Sequence, residues 1–323
     1  MDEIRKLRGY KPSIYKTPSS KYKTDFADAA VLFCNLLKHT KGRWYGVPFD
    51  LIDWQERIIR DLFGIVNKET ECRQFRRAYI ELPKKNGKSE LAAAIALLLT
   101  CTDMERGGEI YGCATDIEQA NIVFDVALNM VDQVPELKKR FTFNAHKKML
   151  YFQPLKSFYK ILSAESYNKD GYNASGVIFD ELHAQKDRRL YDVVTRGSGL
   201  SREQPLTFII TTAGYDRESI CWEMHEKAQA ILDGNIVDPT FYPVIYSAAD
   251  EDDWQSEEVW KRVNPSYGIT IDKDGFRTEF EDAKLNPANE NTFRRLNLNQ
   301  WVKQLTRHVD ILTELLKLHR YKC

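Results

Sequence analysis

Arg77-Ala78-Tyr79-Ile80-Glu81-Leu82-Pro83-Lys84-Lys85-Asn86-Gly87-Lys88-Ser89-Glu90-Leu91-Ala92-Ala93-Ala94-Ile95-Ala96-Leu97-Leu98-Leu99 joins a short apolar run to a basic turn and then to an Ala/Leu-rich stretch. The pattern predicts a strand over 77–82, a loop over 83–88 and a helix from Ser89 to Leu99. At such a junction the backbone N–H groups of the loop and first helical turn converge, and the helix dipole favours negative charge, so a phosphate chain fits. Pro83, Lys84, Lys85, Asn86, Gly87, Lys88, Ser89 and Glu90 are the candidate cradle. Lys88 is placed to contact the β and γ phosphates of ATP, and Ser89 to offer its hydroxyl to Mg²⁺. Leu82 stands where the full signature has its leading Gly. Gly-Lys-Ser alone is weak, since a basic turn before a helix has the same composition.

Downstream, Val177-Ile178-Phe179-Asp180-Glu181 is an apolar strand ending in two carboxylates. This suits a strand beside the phosphate-loop strand, with Asp180 holding Mg²⁺ through water and Glu181 orienting and deprotonating the attacking water. The plainer reading makes Asp180 a cap on a following helix. Leu206 to Ile210 runs into Thr211-Thr212-Ala213-Gly214, small hydroxyl residues at the carboxyl end of a strand that can sense a γ-phosphate. Upstream, Trp54-Gln55 lies on a helix, and the Gln55 amide offers a donor and an acceptor to an adenine edge.

Around these motifs, apolar runs at 109–114, 176–179, 206–211 and 241–247 alternate with helical stretches at 117–134 and 218–232. That alternation predicts an α/β fold, a mainly parallel sheet with helices on both faces. Leu150 to Gln153 and Phe158 to Ser163 read as a hairpin extending the sheet at an edge, and 25–38 and 53–63 as two N-terminal helices behind a basic arm. From Asp250 the strand signal ends and helical stretches at 256–262 and 276–285 predict a small helical subdomain. The expected division is 1–60 for the arm and adenine-side helices, 61–249 for the core and 250–323 for a helical lid or linker with its tail.

Lys and Arg total 47 against 47 Asp and Glu, so any nucleic-acid contact must be local rather than global. The clusters Lys138-Lys139-Arg140 and Lys147-Lys148 are candidates, though such runs are usually solvated faces. Six scattered cysteines without a paired motif fit a reducing compartment, and the longest apolar run, 91–99, is far too short for a membrane span.

Read in order, Trp54-Gln55, the Pro-Lys-Lys-Asn-Gly-Lys-Ser loop, Val-Ile-Phe-Asp-Glu-Leu-His and Thr-Thr-Ala-Gly resemble the motif set of the ATPase domain of tailed-phage terminase large subunits, over about residues 40 to 305. That family's loop lacks the leading Gly and often reads Pro-Arg-x-x-Gly-Lys-Ser/Thr, which accounts for Leu82. Lys84 matches the family's Arg as a phosphate-sensing cation without the planar fork. The resemblance implies a P-loop NTPase core of the RecA/ASCE type and ATP hydrolysis with Mg²⁺. It further implies double-stranded DNA as the translocated substrate, portal protein and small terminase subunit as partners, and a pentameric ring on the procapsid in the cytoplasm of an infected bacterium. A basic residue from one subunit would reach its neighbour's ATP, with Lys169, Arg196 and Arg202 as candidates. Family members continue into an RNase H-like nuclease, whereas 308–323 do not resemble that continuation, so a form without it is expected.

Three rivals remain. Asp180-Glu181-Leu182-His183 also resembles a superfamily 2 helicase box, but about a hundred residues after Thr212 are too few for a second RecA-like domain. A non-enzymatic assembly module would not need Lys88, Asp180 and Glu181 together. A metabolite kinase would need an Arg-rich lid, and the Asp-Glu pair favours hydrolysis instead.

Overall fold

The computed structural model describes residues 17–103, 105–162, 172–196 and 201–302. Most of the expected basic arm, Lys169 and the stretch 308–323 lie outside them. The chain opens with β1 (Ser20–Tyr22) and α1 (Thr24–Leu36), then α2 (Asp53–Gly64) and β2 (Ile65–Asn67), which pairs antiparallel with β1. Next come β3 (Arg77–Glu81), α3 (Lys88–Thr102), β4 (Glu109–Cys113), α4 (Ile117–Gln133), the short α5 (Pro135–Lys138), β5 (Phe141–Asn144), β6 (Met149–Phe152) and β7 (Ser157–Leu162). They are followed by β8 (Gly176–Asp180), α6 (Arg189–Arg196), β9 (Leu206–Thr211), α7 (Ile220–Leu232) and β10 (Phe241–Ile245). Three helices close the described chain: α8 (Glu257–Val263), α9 (Lys273–Leu285) and α10 (Pro287–Asn297).

Eight strands form one sheet in the order β10-β3-β9-β8-β4-β7-β6-β5. The first six are parallel and the last two antiparallel, so the expected edge hairpin is present as β6 and β7 and a further strand, β5, lies outside it. The central strands alternate their side chains between two buried faces, which is why they read as continuous apolar runs. Ala78 and Ile80, with Ile178, Phe208 and Ile210, face the cluster that also contains α1, α2, α3 and α4. Tyr79, Val177, Phe179 and Ile209 face a second cluster built with α6 and α7.

α3 is apolar around its circumference because it sits in the middle of the first cluster: Leu91 to Leu99 are all at most 3% exposed. Residues 53–64 belong to that same core, so the N-terminal helices and the sheet share one interior. The C-terminal helices have a core of their own, in which Trp260, Phe276, Phe280 and Phe293 pack ring against ring.

One expectation needs correction. The acidic strand is not beside the phosphate-loop strand, because β9 lies between β3 and β8. With strands about 4.8 Å apart, this puts Thr211 in the middle and opens roughly two strand widths between loop and carboxylates, room for a phosphate chain.

Close approach within the sheet has a local requirement at Gly112. The Tyr159 ring crosses β4 there, and a Cβ on residue 112 would sit 2.6 Å from Tyr159 Oη. Since Tyr159 is fully buried, Gly112→Val should lower the unfolding free energy by about 1–3 kcal/mol. Chemical denaturation would show this as a lower midpoint; an unchanged midpoint would mean that the ring can move aside.

Candidate active site

Gly87 has φ +87° and caps α3, the left-handed step by which the loop after β3 turns into the helix. Glycine takes that conformation without the Cβ penalty. A Cβ there would also lie 3.3 Å from Gln55 Nε2. Gln55 is therefore packed against the loop, only 3% exposed, with Oε1 accepting the Ile52 backbone N–H at 3.2 Å.

Lys88 follows, and its side chain is only 7% exposed. Its ammonium donates to the Leu82 carbonyl at 3.1 Å and to Thr212 Oγ1, and it lies 3.6 Å from Glu181 Oε1. Burial lowers its pKa, an effect the Glu181 and Asp180 charges oppose. The strands β3, β9 and β8 thus each supply one neighbour to a single cation.

Glu181 stands at φ 52°, ψ 55°, the left-handed region, just past the end of β8. Its carboxylate accepts from Thr212 Oγ1 at 3.4 Å and lies 3.1 Å from His183 Nδ1. Burial raises its pKa, but Lys88 and His183 outweigh this and bring it down to about 2, so it is ionised. Asp180 is the opposite case: burial, then the adjacent Glu181 charge, raises it to about 7. Its Oδ1 is buried with no hydrogen-bond partner in the described structure. A polar atom of that kind calls for a partner, and a carboxylate oxygen is the hard ligand type that suits Mg²⁺.

Thr211 Oγ1 donates to the Thr212 carbonyl at 3.1 Å and accepts the His183 backbone N–H at 3.2 Å, with His183 Nδ1 also 3.1 Å away. Thr212, Lys88, Glu181 and His183 therefore form one continuous polar cluster at the C-terminal edge of the sheet, where open α/β sheets bind ligands.

The rest of the loop is held from a distance. Asn86 is fully buried; its Nδ2 donates to the Pro83 and Lys84 carbonyls (3.2 and 3.3 Å) and to Asn264 Oδ1 (3.0 Å), while its Oδ1 accepts the Ser266 N–H at 3.1 Å. Ser266 Oγ donates to the Asn86 carbonyl at 3.0 Å and accepts from Trp54 Nε1 at 3.0 Å. Thr270 Oγ1 donates to the Lys85 carbonyl, and the Lys84 N–H to the Leu296 carbonyl, both at 2.8 Å. The helical subdomain thus fixes the loop from outside. Lys84 and Lys85 keep exposed side chains, Lys85 at φ 66°. Glu90 faces away, held by His39 Nδ1 at 2.6 Å and by the Thr40 N–H at 3.1 Å.

Asn264, Ser266, Thr270 and His183 are the residues that sequence reasoning did not assign to the site. Of the candidate trans-acting cations, Arg202 is 9% exposed and committed to Glu105 at 2.9 Å and to the Asn173 and Gly107 carbonyls. Arg196 is 80% exposed, with Asp192 at 3.6 Å.

With this geometry in hand, comparison with known proteins is decisive. The family model described as the terminase large subunit ATPase domain matches residues 53–230, more than half of the chain. The chain belongs to that family. The large terminase subunit of Enterobacteria phage HK97 is 30% identical over 233 residues, 71% of this chain and 45% of that protein. That of Lactococcus phage p2 is 24% identical over 248 residues, 76% of this chain and 45% of the relative. The chain therefore spans about half the length of these relatives. The crystal structure of the HK97 large terminase superposes with a TM-score of 0.73 at 26% identity, covering 85% of this chain and 55% of that one. The ATPase domain of the Thermus phage P74-26 large terminase shares the fold, with a TM-score of 0.51 at 18% identity over 73% of this chain and 91% of that one. The terminase ATPase fold is thus the P-loop sheet described above.

Two outcomes follow from the site. Asn86→Ala strands buried groups of Asn264 and Ser266, costing about 1–3 kcal/mol for each unsatisfied group; a thermal melt should register the loss, and an unchanged melt would exclude Asn86 as the brace of the loop. Asp180 has its folded pKa raised from 3.8 to about 7, so its contribution to stability is largest below 3.8 and is lost as pH rises through 7. Asp180→Asn should accordingly stabilise the fold more at pH 8 than at pH 5, and equal gains at both would disprove the buried, raised carboxyl.

Proposed function

We propose that this chain hydrolyses ATP as the motor of a viral DNA-packaging terminase, driving double-stranded DNA into a procapsid. The observation that carries the reading is Lys88, held between the carbonyl of Leu82, the hydroxyl of Thr212 and the carboxylate of Glu181. A β/γ-phosphate on the loop would compete with Glu181 for that ammonium, leaving Glu181 ionised and aimed by His183 and Thr212 at an attacking water.

The triphosphate would lie along the backbone N–H groups from Lys85 to Ser89, with Pro83 and Lys84 flanking and Gln55 behind the loop on the adenine side, while Glu90, turned to His39 and Thr40, takes no part. Ser89 and Asp180 would hold Mg²⁺, which neutralises charge on the phosphate oxygens. Glu181 takes the proton of the water, Lys88 and Lys84 offset the developing negative charge, and Thr211 and Thr212 sense the γ-phosphate. The sheet is followed by a helical subdomain with its own core, which supports a packaging motor over a two-core helicase.

The partners that follow are DNA, portal protein, the small terminase subunit and further copies of this chain in a ring of five, in the cytoplasm of the infected cell. Arg196, exposed and loosely paired, is the favoured trans-acting cation. Lys138, Lys139 and Arg140 are neutralised by Asp132 and Glu136. Lys147 and Lys148 have no carboxylate partner among the described residues, which leaves their charge available to a phosphate backbone.

Steady-state ATP hydrolysis with Mg²⁺ over a wide range of protein concentration tests the reading. Glu181→Gln should retain nucleotide binding and lose about 10²–10⁴-fold in turnover, while Lys88→Ala should lose binding or turnover. Arg196→Ala should remove any more-than-linear rise with concentration. Normal hydrolysis by Glu181→Gln would overturn the general-base assignment.

A further inference from the structure

Glu81, the last residue of β3, has a carboxylate with no solvent exposure and, among the described residues, no lysine or arginine paired with it within 4 Å. It accepts from Tyr79 Oη at 2.5 Å, His225 Nδ1 at 2.9 Å, Asn299 Nδ2 at 3.1 Å and Trp301 Nε1 at 3.3 and 3.4 Å. A buried carboxylate is tolerated only when donors surround it. Four donors from three separate parts of the chain meet here, and none of them takes part in the chemistry described above.

What those donors hold in place lies next to the site. The Trp301 indole wedges against Gly214, where a Cβ would lie 3.0 Å from Cζ3 of the indole and 3.2 Å from Cβ of His183. Gly214 is thus the spacer between Trp301 and His183, and His183 Nδ1 is 3.1 Å from Glu181 Oε2. Asn299 adds a second tie to the same segment, its Oδ1 accepting the Ala213 N–H at 2.7 Å. The circuit closes through the backbone, since Glu81 precedes Leu82, whose carbonyl holds Lys88.

We propose that Trp301, docked on Glu81, is a positioning residue for Glu181: it presses the Gly214 turn against His183 and so holds the Glu181 carboxylate in its aim. The proposal rests on Glu181 acting as the general base. It makes the indole sensitive to nucleotide, because a phosphate that takes Lys88 from Glu181 shifts the cluster on which His183 and Gly214 bear.

The test uses the full chain and mant-ADP to count nucleotide-binding sites. Trp301→Phe and Glu81→Gln should each bind mant-ADP as wild type does and keep KM for ATP within about twofold. Their kcat per binding site should fall at least fivefold, with Phe milder than Trp301→Ala. Wild-type minus Trp301→Phe emission should change on adding ATPγS with Mg²⁺, and the same difference taken in a Glu181→Ala background should not. Binding with full kcat in both variants, or an indole signal indifferent to ATPγS or to Glu181, would overturn the relay while leaving the ATPase reading intact. Failure of the wild type to bind mant-ADP would remove both.

Discussion

A lysine ammonium almost sealed from water between three strands is the constraint on which this structure turns. Removing such a charge from solvent costs several kcal/mol even after relaxation, and Lys88 recovers that only if a carbonyl, a hydroxyl and a carboxylate all reach it. Those groups come from the ends of β3, β9 and β8, so the strand order and register that bring Leu82, Thr212 and Glu181 level are also those that satisfy the ion. The arrangement of the polar edge around Lys88 and the stability of the sheet are in this sense one problem. On the proposed reading, a nucleotide would compete with Glu181 for Lys88, so that binding would rearrange a bonded cluster instead of filling a passive slot.

The loop itself poses the complementary problem. With Leu82 at the position of the leading Gly and only Gly87 free to take positive φ without strain, the turn needs bracing. Asn86 supplies it by bonding inward to Pro83 and Lys84 and outward to Asn264 and Ser266. Thr270 and Leu296 complete the attachment. The phosphate cradle is consequently shared between the sheet and the helical subdomain, and any rotation of one against the other must be felt at Lys84 to Asn86.

How far the sequence discloses this depends on the range over which each signal acts. The strand, loop and helix of 77–99, the acidic end of β8 and the hydroxyl end of β9 are local patterns and are legible to within a residue or two, except that the helix runs three residues further, to Thr102. The edge hairpin was legible too, whereas β5 escaped because Phe141 to Asn144 is short and follows directly on a helical turn. Strand order is not local: a parallel crossover tells which strands run together, not which become neighbours, and hence β9 was not foreseen between β3 and β8. Asn264, Ser266 and Thr270 act on residues some 180 positions away. Glu81 reads as an ordinary strand end until the chain from Asn299 to Trp301 is folded over it.

Backbone strain marks the same places. Among the described residues six non-glycine positions have positive φ, and Glu71, Lys148 and Lys156 lie in loops or turns away from the site. The other three are Lys85 in the phosphate loop, Glu181 at the end of β8 and Asn299 beside Glu81. A side chain in the left-handed region costs about 1–3 kcal/mol and persists only where its surroundings over-determine it. Each of these three is over-determined: Lys85 by Thr270, Glu181 by Lys88, His183 and Thr212, and Asn299 by Glu81, Ala213 and Ser247. Relaxing any one of them would release strain but misplace a group at the C-terminal edge of the sheet. The fold therefore spends part of its stability on aim, and the part is concentrated where the helical subdomain and the sheet meet.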